Sequence, residues 1–215
     1  MLSPLSMHFL NNGLYGDFMK FLIATNNKKK LREIGAILEN LGVEAVSISE
    51  AGVECDAEET GTTFEENSFI KAEAAMKISG LPTIADDSGL EVDALHGEPG
   101  VYSARYGGDK CKDDTERYEY LLDNMKDIPK GERSARFVSV ITCVFPDGKT
   151  ISARGEIEGE ILFAPKGVGG FGYDPVFYVE SEGMTTAEMS QERKNQISHR
   201  AKSLEIMAKK LREVL

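Results

Sequence analysis

Two hydrophobic rhythms alternate along this chain. Phe21 to Ala24 is a short unbroken apolar run, the pattern of a buried strand, and Thr25-Asn26-Asn27 interrupts it. Lys28-Lys29-Lys30 then opens a helix whose Leu31, Ile34, Ile37, Leu38 and Leu41 share one face, with Gly42 as its stop. A second strand follows near Val43 to Ile48, then an acidic loop from Glu54 to Gly61. Thr63 and Glu66 form a capping-box pattern for a helix through Phe69, Ile70, Ala74 and Met76, and Gly80-Leu81-Pro82 ends it. Thr83 to Gly89 gives the end of a buried strand followed by a turn, and Gly89 to Gly108 is loop-rich with a short helix over Leu90 to Leu95. Asp113-Asp114-Thr115 starts a helix that turns Tyr118, Leu121, Leu122 and Met125 inward. Arg136 to Phe145 and Thr150 to Ile161 form a hairpin about Pro146-Asp147-Gly148. Val176 to Val179 is a last strand, and Asn195 to Leu215 a closing helix with Ile197, Ala201, Leu204, Ala208 and Leu211 on one side. Helices mixed with parallel-capable strands and one hairpin give an α/β fold with a mixed sheet.

Charge narrows the function. The net charge of −11 disfavours a general nucleic-acid binder, because phosphate contacts supply most non-specific affinity. Any phosphate site must be local, built from a few Lys and Arg. The three cysteines, Cys55, Cys111 and Cys143, match no zinc spacing and no disulfide framework, which points to a reducing, cytoplasmic compartment. Residues 1–18 carry no Lys or Arg, so they lack the basic start of a secretory signal, and no apolar run there is long enough to cross a bilayer. Met19 looks like a natural start, which makes 1–18 an extension without chemistry and 19–215 a single domain.

Three constellations carry chemistry. Asp86 and Asp87 are adjacent on an extended segment, so their side chains point to opposite sides and meet different environments. Such a division suits a hydrolase that needs one general base and one metal ligand or positioner. Thr25-x-Asn27-x-x-Lys30 places backbone N–H groups, an amide and an ammonium at a helix N-terminus, a good setting for phosphate. It is no Walker loop, since the glycines are missing. Gly167 to Gly172 matches G-x-G-x-x-G literally, but a strand rather than a helix follows it, which excludes the dinucleotide reading. Two readings stay open there: a platform in which Phe171 or Tyr173 stacks on a flat ring while Asp174 accepts hydrogen bonds, or a hairpin loop with core aromatics. Ser88 has no G-x-S-x-G context and is no nucleophile.

Six segments in this order resemble one family: Thr25 to Lys30, Ala57 to Gly61, Ala85 to Leu90, Pro99 to Tyr106, Gly170 to Pro175 and Ser198 to Arg200. From Met19 to about Leu215 the chain resembles the inosine/xanthosine triphosphate pyrophosphatases. One local departure is Lys29, where many members carry glycine. The resemblance implies an elongated mixed sheet with flanking helices, two lobes around a central substrate cleft, and a homodimer. It implies Mg²⁺-dependent cleavage of ITP, dITP and XTP to the monophosphate and pyrophosphate. Asp87 would be the general base, and Glu58 and Asp87 the metal side, with the adjacent Glu59 as the alternative to Glu58. The run Thr25-Asn26-Asn27-Lys28-Lys29-Lys30, with Ser88 and Lys194, would hold triphosphate and sugar. Phe171, Gly172, Tyr173 and Asp174, with His199 and Arg200, would frame the base. A pyrophosphatase for other modified or pyrimidine triphosphates, and a non-catalytic nucleotide-binding module, are the rival readings.

Overall fold

The computed structural model describes residues 19–215; the extension over 1–18 lies outside them. Strands β1 (Lys20–Ile23) and β2 (Glu44–Ser47) flank helix α1 (Lys28–Asn40), and helix α2 (Phe64–Ser79) precedes strand β3 (Thr83–Val92). Strand β4 (Pro99–Gly100), helix α3 (Asp114–Asn124) and the long hairpin β5 (Ser134–Val144) and β6 (Thr150–Ile161) come next. Strands β7 (Phe177–Val179) and β8 (Met184–Thr185) and helices α4 (Gln191–Ile197) and α5 (His199–Arg212) complete the chain. All eight strands lie in one mixed sheet of order β2-β1-β3-β5-β6-β7-β8, with β4 on β3. The α/β class and the mixed sheet expected from the sequence are both present.

Side-chain alternation decides which helix covers which face. Phe21, Ile23 and Ile84 pack with α1 and α5 through Ile34, Leu38, Leu204 and Met207. Leu22 and Ala85, of opposite parity, pack with Ala72 and Ala75 of α2. A further cluster, around Leu90, Phe137, Ile161 and Phe177, fills the other end of β3, β5 and β6.

Strand β3 corrects the sequence reading. It is ten residues long, pairs with β5 from Thr83↔Val144 to Val92↔Ala135, and so carries Asp86-Asp87 in mid-strand. Gly89 makes no turn: a Cβ there would lie 2.5 Å from the Gly100 carbonyl, so glycine admits β4 rather than bending the chain. The expected helix over Leu90 to Leu95 shrinks to a 3₁₀ turn at Asp93–Leu95. The other flank of β3 is broken. There β1 pairs only as far as Ile84, and β4 resumes at Leu90. Between them Asp86-Asp87-Ser88 faces an opening where the parallel strands end, the usual place for ligands in α/β sheets.

The closing helix is also divided. Ser198 ends α4 with an extended backbone and caps α5, its hydroxyl accepting from Ala201 N at 3.2 Å. Helix α5 lies directly on β6 at Gly155, where a Cβ would be 2.3 Å from the His199 carbonyl oxygen and from Ser203 N. That contact fixes the start of α5, and with it His199 and Arg200, above the sheet.

Candidate active site

The parity of β3 separates the two carboxylates. Asp86 follows Ile84 onto the α1/α5 face, where Lys30 Nζ lies 2.7 Å from its Oδ2 and Arg200 Nε 4.0 Å away. Burial opposes its ionisation, but Lys30 and Arg200 outweigh that and hold the carboxyl below its ordinary value. Asp87 follows Ala85 onto the α2 face, where its Oδ1 accepts from Lys71 Nζ at 2.9 Å. Burial pushes Asp87 up despite Lys71, and repulsion from Glu59 and Asp86 adds to the rise. The lysine beside Asp87 is therefore Lys71, while Lys30 serves Asp86 and Lys194 serves Asp174.

Lys71 was not legible as a site residue. Its ammonium also donates to Glu59 Oε1 at 2.8 Å, so Glu59 and Asp87 converge on one cation. Gly61 N donates to the buried Asn67 side chain at 2.8 Å, which tethers the acidic loop over α2. Glu58 is exposed and Glu59 half-buried. Of the two glutamates left open by the sequence, Glu59 is the one placed beside Asp87. Asp87 Oδ2 is buried without a hydrogen-bond partner. Glu59 and Asp87, one with an orphaned oxygen, are hard oxygen donors of the kind a small divalent cation takes, although Lys71 bridges them and no group of three or more such side chains gathers at metal-binding spacing among the described residues.

Helix α1 begins as expected for an anion site. Asn27 is its N-cap, and its Oδ1 accepts from Lys29 N at 2.9 Å and Lys30 N at 3.3 Å. Lys29 occupies the first helical turn without positive φ, so a glycine is not required there. Lys29 Nζ lies 5.5 Å from the Phe171 ring centroid and Lys194 Nζ 5.2 Å from it. Burial and then Lys194 lower the Lys29 pKa.

Two hollows meet at Lys30. One, of about 330 Å³, includes Asn27, Lys29 and Ser88 in its wall, together with Gly172 and residues of α4 and α5. The other, of about 290 Å³, holds Thr25, Asn26, Glu59, Lys71 and Asp86. Lys28, Glu58 and Asp87 line neither hollow; Asp87 meets the second only through Lys71, which lines it.

In the larger hollow the aromatic loop divides its labour. Tyr173 is buried and its hydroxyl donates to the Ser103 carbonyl at 2.8 Å, while Phe171 is 52% exposed and free to stack. Asp174 does not reach outward. Its carboxylate accepts from Phe171 N at 2.8 Å, Thr186 Oγ1 at 2.8 Å and Lys194 Nζ, anchoring the loop. His199 stacks on Phe137 at 5.2 Å, and burial, then the Arg200 and Lys194 charges, hold its pKa far below the ordinary value, leaving a neutral imidazole. Arg200 Nη1 lies 3.6 Å from Glu33, a wall residue the sequence did not single out, and its Nε is buried without a hydrogen-bond partner.

Known proteins resemble this chain throughout. A dITP/XTP pyrophosphatase of Thermus thermophilus is 50% identical over 186 residues, spanning 86% of this chain and 88% of that protein. One from Geobacter sulfurreducens is 47% identical over 188 residues, spanning 87% and 94%. A solved HAM1 protein from Coxiella burnetii is 41% identical with a TM-score of 0.85, covering 91% of this chain and all of that one. Residues 21–210 match the Ham1 family profile. Matched over residues 21–210 and 47–50% identical to these relatives over most of its length, the chain belongs to the Ham1 family.

Proposed function

We propose that this chain hydrolyses non-standard purine nucleoside triphosphates, dITP, ITP and XTP, to the monophosphate and pyrophosphate. The observation that carries the reading is the opening in β3 between Ile84 and Leu90, which joins an anion-binding helix start, a stacking pocket and a carboxylate of raised pKa. The dITP/XTP pyrophosphatase relatives support the choice of substrate.

The base enters the larger hollow and stacks on Phe171, while the triphosphate passes the start of α1. There the positive end of α1 and the Lys30 ammonium receive negative charge. Lys29 and Lys194 leave the Phe171 ring for phosphate oxygens, which frees that ring for the base. Asp87 accepts a proton from water, whose oxygen bonds to the α-phosphorus as the bond to the α–β bridging oxygen breaks. Pyrophosphate leaves with that oxygen. Positioning supplies most of the acceleration in such displacements. Glu59 and Asp87 would hold Mg²⁺, which when bound would neutralise phosphate charge and make water more acidic. Arg200 donates to a 6-oxo group; the 6-amino group of adenine would leave that donor unpaired, which penalises ATP. The same reading carries a homodimer in a reducing, cytoplasmic setting. Among the described residues no helix is long and apolar enough to cross a membrane.

A pyrophosphate-release assay across ITP, XTP, GTP, ATP and dUTP, with and without Mg²⁺, tests this. Mg²⁺-dependent release from ITP and XTP well above ATP is expected. Nucleotide binding without turnover, or a preference for dUTP, would overturn it.

A further inference from the structure

The larger hollow contains a second arginine that neither the anion end nor the 6-oxo donor uses. Leu90, Phe137 and Tyr173 form its apolar floor and belong to one hydrophobic cluster. Arg117, in the first turns of α3, lines the same hollow and acts electrostatically on Tyr173. Its Nη1 donates to Asp114 Oδ1, and the other oxygen of Asp114 accepts from Gly172 N at 2.7 Å. Helix α3 is thereby fastened to the loop that carries Phe171. The remaining donors of the guanidinium are uncommitted: Nε is buried without a partner, and Nη2 makes no hydrogen bond among the described residues.

An arginine donor left unpaired in a cavity wall is costly unless a ligand satisfies it. Its charge is already matched by Asp114, whose carboxylate would repel a phosphate. Lys29, Lys30 and Lys194 provide for phosphate elsewhere in the cleft. What suits a neutralised planar donor beside an apolar floor is a carbonyl oxygen on a flat ring. On a purine the 6-oxo group is served by Arg200, and the other exocyclic position is C2. We propose that Arg117, positioned by Asp114, reads the C2 substituent of the bound base.

The inference rests on the hollow being a purine nucleotide site. Xanthine presents a 2-oxo acceptor to Arg117 and gains a charge-assisted hydrogen bond. Hypoxanthine presents a hydrogen and gains none. Guanine presents a 2-amino donor, so two donors face each other and GTP is refused, a discrimination that the 6-oxo contact cannot make. Arg117 is thus a specificity-determining residue rather than a catalytic one.

The test compares kcat/KM for ITP, XTP and GTP in the wild type, Arg117→Gln and Arg117→Met. Loss of the charge-assisted bond should lower the XTP/ITP ratio by about ten- to a hundredfold and raise the GTP/ITP ratio. A merely structural role would lower all three together. An unchanged XTP/ITP ratio in both variants overturns the assignment, whether overall activity survives or falls. If the wild type turns over none of these, the pyrophosphatase reading fails separately. The equilibrium affinities of xanthosine and inosine monophosphate then report the same ratio, and equal loss of both overturns the role of Arg117.

Discussion

Replacing each aspartate of the pair by asparagine should have unlike effects on stability, and Asp87→Asn should abolish turnover. Asp86 is buried between Lys30, 2.7 Å away, and Arg200, 4.0 Å away. Its side chain is 2% exposed and that of Lys30 20%, so solvent screens the pair little. Asp86→Asn leaves two buried cations facing a neutral amide. Removing one partner of a buried ion pair costs about 3–5 kcal/mol, and we take about 3 because Lys30 keeps some solvent. Asp87 differs. Its folded pKa is raised, so its charge at neutral pH opposes folding, and that cost grows as pH rises through the folded value. In Asp87→Asn the amide oxygen still accepts from Lys71, and Lys71 keeps Glu59 at 2.8 Å. The variant should be as stable as the parent or gain about 1 kcal/mol, the usual yield of relieving an active-site carboxylate. At roughly 2–4 °C per kcal/mol for a chain of this size, Asp86→Asn should lower Tm by about 6–12 °C. Asp87→Asn should hold it or raise it by a few degrees. Thermal unfolding at pH 7 without nucleotide, alongside turnover of ITP, reads both. Equal losses of Tm, or a neutral Asp86→Asn, would refute the division of roles.

Three further outcomes follow from the same geometry. Glu59→Gln should raise the Mg²⁺ concentration needed for half-maximal turnover by about tenfold or more, while Glu58→Gln leaves it within about twofold; a Mg²⁺ titration of each variant decides. Arg133, buried, donates to the carbonyls of Ile161 (2.7 Å), Met125 (2.7 Å), Ile128 (3.0 Å) and Leu162 (3.1 Å). Arg133→Met strands those acceptors and should cost about 3–5 kcal/mol in chemical denaturation. His199 is held neutral when folded, so the unfolded chain binds the extra proton below its ordinary pKa near 6.5. Stability should therefore fall as pH drops below about 6.5, and His199→Gln should flatten that part of the Tm–pH curve.

The elements with strong hydrophobic period were legible: α1, the capping box of α2, and the β5–β6 hairpin all form where the pattern puts them. So was the separation of Asp86 from Asp87, since alternation along a strand is local geometry. The extent of β3 was hidden because Gly89 looks like a turn residue, and only the approach of Gly100 explains it. The break at Ser198 was hidden because apolar positions continue in helical phase across it. Lys71 and Glu33 were missed for a tertiary reason, since their partners are 12 to 167 residues away, and Arg117 because it lines a hollow that only the fold assembles. One signal did exist in α2. Buried Phe64, Asn67, Ser68 and Ala72 set its inward face, and Lys71 falls on that face at a spacing normally apolar.

Hydrolysis of ITP in ¹⁸O-labelled water, followed by ³¹P NMR, addresses the chemistry at Asp87 most directly. Attack at the α-phosphorus places the label in inosine monophosphate and leaves pyrophosphate unlabelled, and Asp87→Asn stops both signals while nucleotide still binds. Label in the pyrophosphate, release of orthophosphate, or near-normal turnover by the Asp87→Asn protein would contradict it.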